Sequence, residues 1–139
     1  MKTRSYLTLA CVAVCLSACG DATAPEEQVE QCTDDTGSVV VTVGAGLTPS
    51  FTWSPACTVA AILVEEGADD RWFAGAPTNV IAPPVTYGSE GWSLMAPVPL
   101  QAGHTYTLSL WRLVPPASNP QCQVRLEDEC ALAIHNFSR

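Results

Sequence analysis

His104-Thr105-Tyr106-Thr107-Leu108-Ser109-Leu110-Trp111-Arg112-Leu113 is the longest alternating run in the chain. Tyr106, Leu108 and Leu110 fall on one side and Thr107, Ser109 and Trp111 on the other, the period-two signature of a strand with one face in a core. Similar but shorter runs precede it. Ser38–Val43 places Val39, Val41 and Val43 on one face, Ser50–Trp53 begins a second strand that Ser54-Pro55 ends, and Thr58–Glu66 is a third. Arg71–Phe73, Asn79–Ile81 and Val85–Tyr87 are brief candidates, and Leu132–Phe137 closes the chain. Gly and Pro punctuate every gap, and no segment keeps a helical period. About seven short strands separated by turns predict an all-β domain, a single antiparallel β-sandwich or small barrel.

The segments before this domain are of another kind. Met1–Ser5 carries Lys2 and Arg4, and Tyr6–Ser17 is apolar but shorter than the roughly 20 residues that span a bilayer. The run ends in Leu16-Ser17-Ala18-Cys19, which resembles the bacterial lipobox at all four positions. That resemblance implies a signal peptide over 1–18, cleavage before Cys19, and diacylation of the Cys19 thiol. Two or three acyl chains anchor a protein stably where one does not. The other reading is an ordinary secretory signal cut after Ala18. Gly20, rather than Asp, follows Cys19, which favours the outer membrane or cell surface over the inner membrane. Residues 19–37 hold six acids, no base and no aromatic, the composition of a solvated tether. The domain is expected over 38–139.

Charge and size exclude much. The 139-residue chain has 14 acidic and 6 basic residues; removing Lys2 and Arg4 with the signal takes the formal charge from −8 to −10. Nucleic acid, which wants a clustered basic face, is not an expected partner. No Lys remains after position 2, which removes Schiff-base, Ser–Lys and P-loop chemistry. The chain is too short for a barrel enzyme or a full dinucleotide-binding fold, and no cofactor is implied.

Within the domain, Phe51-Thr52-Trp53-Ser54-Pro55 resembles the second strand of a fibronectin type III domain, and Leu100–Leu110 resembles that family's tyrosine corner. The resemblance implies a fibronectin type III or immunoglobulin-like sandwich. Trp53 would fill its core, and the Tyr106 hydroxyl would bond back to the backbone of the preceding turn. Four cysteines and the 17 residues between Leu113 and Ala131 depart from the family pattern. The fold itself selects no function.

Cys32, Cys57, Cys122 and Cys130 remain beside Cys19 after processing, and four cysteines in an exported domain point to two disulfides. No closely spaced pair suits zinc. Three connectivities are open. The sandwich would gather all four cysteines at one pole, which favours Cys32–Cys57 with Cys122–Cys130.

Catalytic signatures are sparse. His104 and His135 are the two histidines, and no G-x-S-x-G accompanies them. Glu65-Glu66 and Asp69-Asp70 could flank a sugar or hold Ca²⁺, but a solvated turn is the simpler reading. Asn136-Phe137-Ser138 fits a glycosylation acceptor that a bacterial lipoprotein would seldom use. Trp72 and Trp92 are left without an environment, although an exposed Trp can stack on sugars. The outward side of the sheet carrying Trp111 is expected to present an aliphatic and aromatic patch with Ile62 and Leu63, the mark of a contact surface. In the opposing reading the 114–130 segment buries it. The expectation is a non-catalytic envelope lipoprotein, membrane-anchored by its lipid, whose disulfide-braced domain binds an envelope protein or glycan. A spacer without a ligand and a small envelope hydrolase are the alternatives.

Overall fold

In the computed structural model, residues 29–33, 36, 38–113 and 130–139 are described. Alternation becomes strand wherever a partner supplies the other half of the ladder. The result is β1 (Val40–Val43), β2 (Ser50–Ser54), β3 (Ala61–Glu66), β4 (Asp69–Gly75), β5 (Val85–Thr86), β6 (Thr105–Trp111) and β7 (Ala131–Ser138). They form a three-stranded sheet in the order β1-β2-β5 and a four-stranded sheet in the order β4-β3-β6-β7, antiparallel throughout. The described residues are all-β and form a single antiparallel β-sandwich.

The inward residues of each strand make the core. Val41, Phe51 and Trp53 come from one sheet, and Ile62, Val64, Trp72, Ala74, Leu108, Leu110 and Phe137 from the other. Phe51 sits at the centre of an aromatic cluster, 6.3 Å from Trp72, 6.4 Å from Tyr87 and 6.0 Å from Phe137 between ring centroids. Trp53 is buried as expected, and its indole N–H donates to Cys57 O at 2.8 Å. Tyr106 is also buried, and its hydroxyl accepts the Gln101 N–H at 2.8 Å, five residues back. Gly103, at φ +84°, makes the turn between them, a backbone conformation that residues with a Cβ rarely adopt.

Three segments differ most from the sequence reading. β4 begins at Asp69 because the hairpin turn is only Gly67-Ala68, with Gly67 at φ +64°. β3 begins at Ala61 because Thr58 and Val59 bridge elsewhere, to Gln31 and Ile81. Asn79–Ile81 is therefore no strand of its own; Ile81 exchanges backbone bonds with Val59, and Asn79 turns its amide into the protein.

The last part of the expected tether belongs to the domain. Cys32 is buried and disulfide-bonded to Cys57, and the Thr58 N–H donates to Glu30 O at 2.7 Å. Residues 30–32 are thus docked on the domain, because a disulfide and a β-bridge together hold a segment whose composition alone would not. Cys130 is disulfide-bonded too, and its expected partner Cys122 lies outside the described residues. The lipobox, Cys19 and most of the acidic segment also lie outside them. No helix among the described residues is long and apolar enough to cross a membrane.

Asn79 locks the same pole. Its side-chain amide donates to Leu113 O at 2.9 Å and its Oδ1 accepts the Leu113 N–H at 2.7 Å, so one buried side chain completes both backbone groups just past β6. Its own carbonyl accepts the Thr58 hydroxyl at 2.8 Å. Asn79→Ala strands two polar groups in a buried place, and urea unfolding is expected to show a loss of about 2–3 kcal/mol. A loss under about 0.5 kcal/mol, the size of an ordinary surface substitution, would mean that Leu113 finds other partners.

Candidate functional site

The four-stranded sheet turns Ile62, Val64, Trp72, Ala74, Leu108 and Leu110 inward, so Ala61, Leu63, Phe73, Gly75, Ser109 and Trp111 lie on its outer face. This sorting corrects part of the expected contact surface. Ile62 is 0% exposed and belongs to the core, because β3 shares its inward parity with Val64. Trp111 does lie on the outer face, yet it is only 3% exposed, and Leu63 is half-buried. The sheet is closed around Trp111 and open beside it.

The opening is an apolar trough of about 250 Å³ lined by Ala60, Ala61, Phe73, Gly75, Leu94 and Leu113, with Ala76 and Pro77 at its rim. Gly75 lets Leu94 and Phe73 approach its backbone closely. A Cβ on it would stand 2.9 Å from Leu94 Cδ1 and 3.4 Å from Phe73 Cζ. Leu94 is itself 64% exposed, a large apolar side chain in water beside a depression of matching character. It is placed there by backbone. Leu94 N–H donates to Phe73 O at 2.8 Å and Gly75 N–H to Trp92 O at 2.9 Å, so residues 92–94 run along the outer edge of β4 and cap it. The Trp72 indole N–H donates to Ser93 Oγ at 2.9 Å and that hydroxyl to Met95 O at 2.7 Å, tying this strip to the core.

The turn end of the same two strands is polar. Glu66 pairs with Asp69 and Glu65 with Asp70 across the hairpin, and like charges directly opposite are destabilising. Arg71 and His104 offset this. Arg71 Nη2 lies 2.8 Å from Glu66 Oε2, and His104 Nδ1 lies 2.5 Å from Glu66 Oε1, while the His104 ring stacks over Tyr106. The clasp ties the β3–β4 hairpin to the start of β6. The hydrogen bond from His104 holds the Glu66 carboxyl below its ordinary value; the Arg71 charge acts the same way, and partial burial opposes both. A depressed carboxyl stabilises the fold above its ordinary value of 4.5, and that stabilisation is lost as pH falls through the lower folded value. Glu66→Gln is therefore expected to lower Tm at neutral pH and to flatten the fall of Tm below pH 4.5. Parallel Tm–pH curves for the two proteins would show that the clasp is not linked to folding.

Close by, Tyr87 directs its hydroxyl at Arg71 O (2.9 Å) and Val98 O (2.6 Å), and burial pushes its pKa up to about 12.

The remaining sequence candidates are spread over the domain. His135 stands opposite Leu108 in β7, on a different strand pairing from the His104 clasp. Asp69 and Asp70 are exposed at the turn, as a solvated cluster would be. Among the described residues, no group of three or more His, Cys, Asp or Glu side chains converges to hold a metal ion. Trp72 is core, whereas Trp92 is 39% exposed on the strip that caps β4. The sequence reading missed Phe73, Gly75 and Leu94. Gly75 was the available signal, since a glycine inside a strand often marks a close approach to its missing side chain.

Comparison with known proteins returns no match, whether to a family model, to a curated protein or to a solved structure.

Proposed function

We propose that this chain is a non-catalytic bacterial envelope lipoprotein, anchored through Cys19, that displays its sandwich to bind an envelope protein or glycan. The observation carrying the binding role is the apolar trough around Phe73, Gly75 and Leu94, with Leu94 held exposed by backbone hydrogen bonds to β4. Exposed apolar surface next to a concave apolar lining marks contact sites on soluble domains. Leu16-Ser17-Ala18-Cys19 supports the lipid anchor, and a buried disulfide is compatible with export. Burial of Trp53 and Tyr106 in an antiparallel sandwich is compatible with the fibronectin type III resemblance, which by itself selects no function.

One observation favours a second reading, a spacer with no ligand. The Trp111 part of the outer face is buried, one of the marks of that reading; the other, no uncovered aromatic surface elsewhere, is not met, since Trp92 is 39% exposed.

Capture separates the two. The purified oxidised protein is immobilised, and solubilised envelope proteins and cell-wall glycans are passed over it, with Leu94→Asp and Leu47→Asp in parallel. Both leucines are partly exposed, at 64% for Leu94 and 49% for Leu47, and Leu47 lies on the β1–β2 loop outside the trough; unchanged Tm of each variant confirms that it is folded. Saturable capture lost with Leu94→Asp and kept with Leu47→Asp is the expected result. Capture by none of the three proteins favours the spacer.

A further inference from the structure

Resting on that binding role, we infer that the partner is a protein segment rather than a glycan: an extended stretch that seats an apolar side chain in the trough and carries basic residues toward the β3–β4 turn. The lining supplies the first half of the inference. Ala60, Ala61, Phe73, Gly75, Leu94 and Leu113 contain no side-chain hydrogen-bond donor or acceptor. A sugar brings several hydroxyls into any site it enters, and a site that cannot pair them leaves them desolvated at a cost of about 1–3 kcal/mol each. An aliphatic side chain brings none, and filling the trough with it removes apolar surface from water on both sides.

Charge supplies the second half. β4 runs from the trough at Phe73 and Gly75 to Asp69 and Asp70 at its other end. Four carboxylates gather there, those of Glu65, Glu66, Asp69 and Asp70. Among the described residues, Arg71 and His104 both pair with Glu66. Asp69 and Asp70 are both exposed. A bulge at Arg71 puts Asp70, opposite Glu65, on the face that Phe73 presents opposite Leu63, three residues from Phe73 and five from Gly75, about 10–16 Å along the strand. A segment lying along β4 with an apolar residue at the trough therefore meets the acidic end three to five residues later. The acidic balance of the whole chain adds to the preference for a basic segment, and it also disfavours an anionic membrane surface as the occupant.

The test uses defined probes and amide chemical shifts of the isotope-labelled, oxidised protein. The first peptide is Thr-Leu-Thr-Ser-Thr-Lys-Lys-Thr with blocked ends; a second replaces both Lys with Glu, a third replaces Leu with Ser, and a β-1,4-linked N-acetylglucosamine hexamer is the glycan arm. The first peptide is expected to shift the amides of Ala61, Phe73, Gly75 and Asp69. The Glu peptide should bind at least about fivefold more weakly, the worth of two exposed ion pairs, and the Ser peptide should leave the trough amides unmoved. Asp69→Asn with Asp70→Asn, both at exposed positions, should bring the Lys peptide down to the affinity of the Glu peptide. Equal binding of the Lys and Glu peptides overturns the inference, as does a trough shifted by the glycan alone. So does a trough that no probe moves. The binding role is judged separately: it survives any of these results if envelope capture still depends on Leu94, and it fails with the inference if that dependence is absent.

Discussion

Trp72→Ala is expected to lower the unfolding free energy by about 4 kcal/mol, within the range seen when a buried aromatic is truncated to Ala. Trp72 is 0% exposed and the largest fully buried side chain among the described residues. It stacks on Phe51 and packs 5.4 Å from Tyr87, so its loss opens a hole between the sheets and deprives two other rings of their partner. It also releases Ser93, whose hydroxyl holds the strip that caps β4. A small domain is stable by only about 5–15 kcal/mol, so the variant should unfold at a far lower denaturant concentration, and the 92–94 strip should lose amide protection first. Trp72→Phe keeps a ring and loses the indole bond, and about half the effect is expected. If both variants behave alike, the hydrogen bond to Ser93 rather than packing dominates at this position.

Loss of the Cys32–Cys57 bond should have an effect of similar size. The bridge closes a loop of 25 residues, for which chain-entropy arguments give about 3.5 kcal/mol. The loop contains β1, β2 and the turn between them, two of the three strands of the smaller sheet. Both sulfurs are buried, and the Cys32 N–H donates to Thr58 O at 3.0 Å, so the bond also holds the chain entry against the start of β3. Cys32→Ala with Cys57→Ala is expected to lower Tm by many degrees and to free residues 29–33 to exchange their amide protons, while the four-stranded sheet keeps its protection longer. If Tm falls but residues 29–33 stay protected, the Gln31–Thr58 bridge is sufficient to dock that segment and the disulfide acts on the unfolded chain alone.

The strands were largely legible because alternation needs no partner to be recognised. β6 and β2 lie within a residue or two of where their side chains place them, and Tyr106 is buried with Leu108 and Leu110 as its alternation indicates. The disulfide pairing Cys32–Cys57 was one of three open connectivities and is the one present. Ile62 was assigned to a surface because Val59–Val64 is apolar at every position, and such a run does not say which parity faces in. Only the register Ile62↔Leu110 and Val64↔Leu108 decides it.

Sequence by itself determined that the domain is built of short alternating strands, that Lys-dependent chemistry is absent from the body of the chain, and that four cysteines accompany the domain, since these depend on residue identity and local spacing. Tertiary structure alone decided where the surface opens. Gly75 in β4 lets Leu94, 19 positions later, pack directly over its backbone, which sets the outer wall of the trough. The docking of residues 30–32 has the same origin. Cys32 is buried in the domain because Cys57 and Thr58 meet it there, although nothing in an acidic, apolar-poor stretch supplies its own reason to fold.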